Sequence, residues 1–230
     1  MHLYSIEVRT VKSPTGSIRA ARAATTRSRI EAAARTLFAT RGYAATTLRD
    51  VAAEADVAVQ TVYAVYTSKA NIIRALIRQV IDDPAADAAF GEALAAATVD
   101  GCLESFSHSI RLRWEAGHDV VAILSDAGSA DSAIRAEAEV ALAARRRGIG
   151  ELARRIAALD GRGPADMRRA AAIVDALTLP EIFAEFSAVH GWSADAYESW
   201  LAMTLTWSLN AGSSTGSAMF EPPHSLKGPR

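Results

Sequence analysis

Residues 47–69 read TLRDVAAEADVAVQTVYAVYTSK, and the rest of the chain is arranged around them. Thr47 is suited to cap a helix, because its hydroxyl can accept from the orphan amides of a first turn. Asp50, three residues on, can answer with its carboxylate and favours the positive end of the helix dipole. Leu48, Val51, Ala52 and Ala55 follow at helical spacing. Asp56-Val57-Ala58 then forms a turn, and a second helix is predicted from about Val59 to Tyr66, with Val62 and Val65 on one face. Val51, Ala55, Val57, Val62 and Val65 make one small shared core, and Ala52 is small where the two helices must approach.

Two short helices joined in this way are the pattern of a helix-turn-helix, in which the first braces and the second enters the DNA major groove. The outward face of the second carries Ala58, Gln60, Thr61 and Tyr63. Thr and Tyr hydroxyls suit phosphate oxygens, and Gln can read an adenine edge or a phosphate. Lys69 opens the next helix within reach of the backbone. The expected DNA contacts are therefore Gln60, Thr61, Tyr63 and Lys69, with Thr46, Thr47 and Ala58 at the edges.

The flanks extend the pattern. RIEAAARTLFATRGY at 29–43, ATTLRDVA at 45–52, Val62-Tyr63 and Thr67-Ser68-Lys69 follow in unbroken order within residues 26–78. Together they resemble the DNA-binding domain of the tetracycline-repressor (TetR) family. The resemblance implies a dimeric transcription factor, usually a repressor, that leaves a palindromic DNA operator when a small molecule binds. It also implies that the helix after Lys69 links two domains and carries the ligand signal. Two positions depart from the family's pattern. Asp56 stands where Gly is usual, and Asp tolerates the left-handed conformation better than most residues. Ala64 and Val65 stand where aromatic or His residues are usual, which removes possible phosphate contacts.

Composition and charge agree with a DNA binder. Half of the 230 residues are hydrophobic, Ala dominates, and no alternating runs with hairpin turns occur, so the fold expected is all-α. The net charge of −1 conceals an asymmetry: residues 1–81 hold twelve Lys and Arg against five Asp and Glu, and the remainder is acidic. A basic amino-terminal third meets the requirement of a polyanionic partner. A single cysteine, Cys102, excludes an internal disulfide and a Cys-based zinc site, and the five His show no ligand spacing. No metal or cofactor is expected. Neither a run of 18 apolar residues nor a continuous apolar leader is present, which predicts a cytoplasmic protein without a membrane partner.

Four regions are expected: a flexible basic arm at 1–24, the DNA-binding domain with its linker helix at 25–81, a ligand-binding and dimerisation domain at 82–211, and a disordered Gly/Ser/Pro-rich tail at 212–230. The arm is read as a solvated tail, although such arms can also reach a minor groove. Within the first domain a helix is predicted over about 26–40, ended by Gly42, and another from Ser68 until Asp82-Asp83-Pro84 breaks it. Further helices are predicted over about 86–97, 101–116, 119–126, 131–158, 164–189 with an interruption near Pro180, and 193–209.

A regulator needs an apolar cavity, and Phe106, Trp114, His118, Met167 and Phe183 are candidates to line it, Trp114 and His118 being four apart near a helix end. Each could equally be ordinary core. The last helices are apolar on broad faces, more than one helical hairpin buries by itself. The resemblance implies that they form a four-helix bundle with a second copy, so Phe186, Tyr197, Trp200, Leu201 and Leu205 are candidates for that interface. A buried monomer core is the alternative. No GxSxG, P-loop or HExxH is present, and the carboxylate pairs Asp82/Asp83 and Glu137/Glu139 lie on charged faces, so an enzyme is not expected. Two other readings remain: a helical small-molecule-binding protein with weakened DNA binding, and a DNA-binding protein without an effector.

Overall fold

A computed structural model describes residues 14–210. Among them the chain forms ten α-helices, one π-helical turn and no strand. The helices are α1 (Pro14–Arg41), α2 (Leu48–Glu54), α3 (Val59–Val65), α4 (Lys69–Ile81), α5 (Pro84–Ala95), α6 (Val99–Ala130), α7 (Ser132–Asp160), α8 (Pro164–Leu177), α9 (Pro180–Ala184) and α10 (Ala194–Asn210). The π turn, Glu185–Val189, follows α9 directly. The all-α expectation holds.

The described residues divide into two compact units, one formed by residues 14–79 together with Asp119–Ala138, the other by Val80–His118 together with residues 139–210. In the first unit α1 buries Ile30, Ala33, Ala34, Leu37 and Phe38, the apolar stripe read from the sequence. Each large apolar side chain so buried contributes about 1.5–3 kcal/mol. Gly42 ends α1 at φ +83°, its amide donating to the Phe38 carbonyl at 3.1 Å. α4 buries Ile72, Ile73 and Leu76 against the same core. The helix begins earlier than predicted: α1 starts at Pro14, so residues 14–24 of the expected arm are helical. The missing signal is an apolar stripe, since this Ala-rich segment is exposed over residues 18–25. The rest of the expected arm and the tail from residue 212 lie outside the described residues.

Residues 119–138 join the first unit through polar contacts. Arg35 grips Asp119 with two guanidinium nitrogens, Nε donating to Oδ2 at 2.7 Å. The Tyr43 amide donates to Asp126 Oδ2 at 2.7 Å, and Arg74 Nε donates to Glu137 Oε1 at 2.6 Å.

In the second unit the break before α5 is capped as the sequence suggests. The Asp83 carboxylate accepts from the amides of Ala85 at 2.8 Å and Ala86 at 3.0 Å, and Pro84 takes the first helical position. The helices predicted over 101–116 and 119–126 are both present within α6 and meet at a kink, where Gly117 has non-helical backbone (φ −171°, ψ 39°). The interruption near Pro180 is real: α8 stops at Leu177 and α9 begins at Pro180.

Candidate nucleic-acid interface

α2 opens with the capping box anticipated from Thr47 and Asp50. The Asp50 amide donates to Thr47 Oγ1 at 3.2 Å, and Asp50 Oδ2 accepts from the Thr47 amide at 2.8 Å and its hydroxyl at 2.6 Å. Those bonds hold the Asp50 carboxyl below its ordinary range, the Thr47 hydroxyl being the largest cause. α2 closes in a Schellman motif: Val57 N–H donates to the Ala52 carbonyl at 3.0 Å and Asp56 N–H to the Ala53 carbonyl at 3.1 Å. That motif needs a left-handed residue at Asp56, and Asp56 has φ +49°. Arg29 secures the turn, donating to the Asp56 carbonyl at 2.9 Å and to its carboxylate at 3.0 Å. Val51, Ala52, Ala55 and Val62 are buried, whereas Val57 and Val65 of the expected shared core are only half-buried.

α3 therefore leaves the pair with one face inward and one outward. Val62 is fully buried, while Tyr63 is 53% exposed. Ala58, Gln60 and Ala64 are exposed, and Thr61 is half-buried. Thr47 is exposed at the start of α2. Arg27, Arg41 and Arg49 are also exposed in this unit.

Two of the anticipated contacts are committed elsewhere. Thr46 has no exposed surface, and its hydroxyl donates to the Gly42 carbonyl at 2.9 Å, satisfying an orphan acceptor at the end of α1. Lys69 is half-buried; its Nζ donates to the Tyr43 carbonyl at 2.6 Å and the Ala44 carbonyl at 3.5 Å and lies 4.3 Å from the centre of the Tyr43 ring. Desolvation lowers the pKa of this ammonium. Both residues hold the α1–α2 turn rather than present themselves to a partner. A third element escaped the sequence: the buried Glu31 carboxylate accepts from the Tyr66 hydroxyl and from Gln79 Nε2, the latter at 2.5 Å. Periodicity carries no signal for a polar group on an apolar face.

In the second unit, three of the five candidate pocket residues meet. His118 Nδ1 lies 2.9 Å from the Trp114 carbonyl, and its ring is 5.3 Å from that of Phe183. Trp114 Nε1 donates to the Thr178 carbonyl at 3.2 Å. Phe106 packs instead near Phe90, with ring centres 6.2 Å apart, and Met167 sits half-buried on α8. Among the candidates for a subunit interface, Tyr197, Leu201 and Leu205 have no exposed surface. They are core within a single chain and have nothing left to offer a partner. Phe186 and Trp200 are half-buried with rings 4.5 Å apart, and the exposed apolar residues of α10 are Met203 at 64% and Trp207 at 55%. A groove of about 700 Å³ lies along α7, lined by Leu142, Arg146, Arg147, Glu151 and Arg154 among others. Among the described residues no helix is long and apolar enough to cross a membrane.

A capped pair of short helices with a left-handed turn, a buried seam and a polar outer face on the second defines a helix-turn-helix DNA-binding domain. Residues 30–76 match the family described as bacterial regulatory proteins, tetR family. No curated protein matches the chain. Solved structures share the fold across most of their length. A TetR-like transcriptional regulator from Rhodococcus sp. RHA1 is 21% identical with a TM-score of 0.58, covering 82% of this chain and 97% of its own. The TetR family regulator PfmR from Thermus thermophilus is 17% identical with a TM-score of 0.60, covering 79% and 93%. SmeT, solved as a complex with triclosan, is 21% identical with a TM-score of 0.59, covering 86% and 98%. The amino-terminal segment 30–76 thus matches the tetR family of bacterial regulatory proteins, and the described chain as a whole shares the fold of these solved regulators.

Proposed function

We propose that the protein is a cytoplasmic homodimeric repressor that binds a palindromic operator through α3 and is released by a small lipophilic effector. The observation that carries this reading is the outward face of α3, where Gln60 and Tyr63 are exposed on a helix whose opposite face is locked by Val62. Gln60, Thr61 and Tyr63 make the groove and phosphate contacts, and Thr47 and Ala58 flank them. Thr46 and Lys69 position the turn that sets the angle of α2. One such unit touches only a few base pairs, so two half-sites and two copies supply affinity and specificity.

The region 25–81, braced by residues 119–138, serves DNA binding, and the rest of 82–211 serves effector binding and dimerisation. Phe186, Trp200, Met203 and Trp207 form the face for a second copy, because they retain accessible apolar surface on α10 and the π turn. The effector lies against Trp114, His118 and Phe183. SmeT was solved with triclosan, and a lipophilic molecule of that kind suits aromatic walls. Effector binding shifts the population between DNA-competent and incompetent states.

The test is fluorescence anisotropy against the DNA flanking the protein's own gene, with T61A and Y63A as controls. Salt-sensitive binding to one defined sequence, absent on scrambled DNA and lost in both variants, is expected. Binding indifferent to sequence and to both variants overturns the assignment of α3.

A further inference from the structure

Among the described residues three buried side-chain atoms have no hydrogen-bond partner: Ser107 Oγ, Arg155 Nε and Tyr197 Oη. Tyr197 belongs to the aromatic cluster of the second unit. Its ring meets Phe183 edge-on at 4.9 Å and lies 5.8 Å from Trp200 and 6.2 Å from Phe186. The Trp114 indole and the Thr178 carbonyl satisfy each other, and Thr178 Oγ1 donates to the Val174 carbonyl at 2.7 Å. Arg145 donates to the Asp175 carboxylate and, at 2.8 Å each, to the Asp175 carbonyl and Thr178 Oγ1. A buried hydroxyl left unpaired carries its full desolvation cost, and phenylalanine would fill the same space without it.

The chemistry that would satisfy Tyr197 is specific. Burial pushes its pKa upward, so the phenol keeps its proton and acts as a donor. Arg145, the nearby cation, already faces the carboxylate of Asp175; Arg146 adds a second positive charge beside it and Glu181 a second negative one. The charges are matched, so an anionic ligand gains no unpaired cation. The walls available are Trp114, His118 and Phe183. Phe183 stands on α9, five residues long between the break at Thr178-Leu179 and the π turn, and such a short element yields locally at low cost.

Resting on the reading of this unit as the effector-binding one, we propose that Tyr197 Oη donates a hydrogen bond to the bound effector, and that the effector is a neutral, aromatic-sized molecule bearing a carbonyl-type acceptor. Phe183 moves aside to admit it. The hydroxyl that is unpaired in the closed core becomes paired in the complex, and it selects for the acceptor.

The experiment compares acetylnaphthalene with ethylnaphthalene of the same substitution pattern and with naphthoate, read by quenching of tryptophan fluorescence in the full-length protein without DNA. The wild-type chain is expected to bind acetylnaphthalene about tenfold more tightly than ethylnaphthalene, one hydrogen bond's worth of discrimination. Tyr197→Phe is expected to bind the two equally, at the weaker level, and to melt at the same or a higher temperature. A wild-type chain without the preference, a preference that survives in Tyr197→Phe, tightest binding of naphthoate, or no saturable binding of any probe each overturns the proposal. Operator release is followed separately by anisotropy. Acetylnaphthalene that binds with the expected preference yet leaves the operator complex intact sinks the effector reading and keeps the site.

Discussion

The hydroxyl of Tyr66, the residue that caps the end of α3, donates to the buried carboxylate of Glu31 in the middle of α1. Gln79 on α4 donates to the other oxygen of the same carboxylate at 2.5 Å. One buried acid thus ties three helices of the DNA-binding unit together. Removing one donor leaves that charge undersatisfied, which costs about 1–3 kcal/mol. Tyr66→Phe is expected to lower the urea midpoint by that order and to weaken operator binding, although Tyr66 is buried and touches no DNA. An unchanged midpoint would show that the hydroxyl is not needed to hold the end of α3.

Tyr63 should behave in the opposite way. It is more than half exposed, and Tyr63→Ala is expected to leave stability within about 0.5 kcal/mol. Operator affinity should fall about tenfold or more, with the dependence on salt unchanged, because the uncharged phenol displaces no counterion. Chemical denaturation beside anisotropy separates the two effects.

The turn between α2 and α3 makes a conformational prediction. Asp56 stands at φ +49°, where a β-branched side chain is strained. Asp56→Val is expected to destabilise the unit by about 1–2 kcal/mol. Asp56→Gly should be neutral or slightly stabilising, since the lost Arg29 contact is an exposed ion pair of small worth. Thermal melting of the two variants side by side reads the difference, and equal behaviour of Gly and Val would contradict the left-handed turn.

The capping box adds a dependence on pH. Asp50 is held below its ordinary value of 3.8 by the Thr47 hydroxyl and then the Thr47 amide. Its contribution is therefore present above that value and is lost as the pH falls through the lower, folded one. Asp50→Asn should be less stable than the parent near neutrality, and the gap should close under acid. Parallel denaturation series across pH check this. A gap that stays constant in acid would place the effect outside the carboxylate.

Much of the DNA-binding unit was legible because its signals are local. Thr47 and Asp50 are three residues apart, Asp56 follows the helix it closes, and the buried stripe of α1 repeats at the helical period. Long-range polar ties left no trace: Arg35 and Asp119 are separated by 84 residues, and Tyr43 and Asp126 by 83. Lys69 and Thr46 carry residue types suited to phosphate, yet each satisfies carbonyls of the neighbouring turn. In α10 both faces are apolar, so spacing could not tell that Tyr197, Leu201 and Leu205 face inward while Met203 and Trp207 remain accessible. Tyr197 gave no sign of its unpaired hydroxyl, because that depends on what folds around it.

The DNA-binding unit is not one continuous piece of chain. Asp119, Asp126 and Glu137 answer Arg35, the Tyr43 amide and Arg74 from a segment that begins about forty residues after α4 ends. A fragment cut at residue 81 would carry the whole reading surface but lose three carboxylates that brace it. A chimaera that borrows this operator specificity has to take both segments together, and grafts limited to the amino-terminal third should fold loosely even with every DNA-facing residue in place.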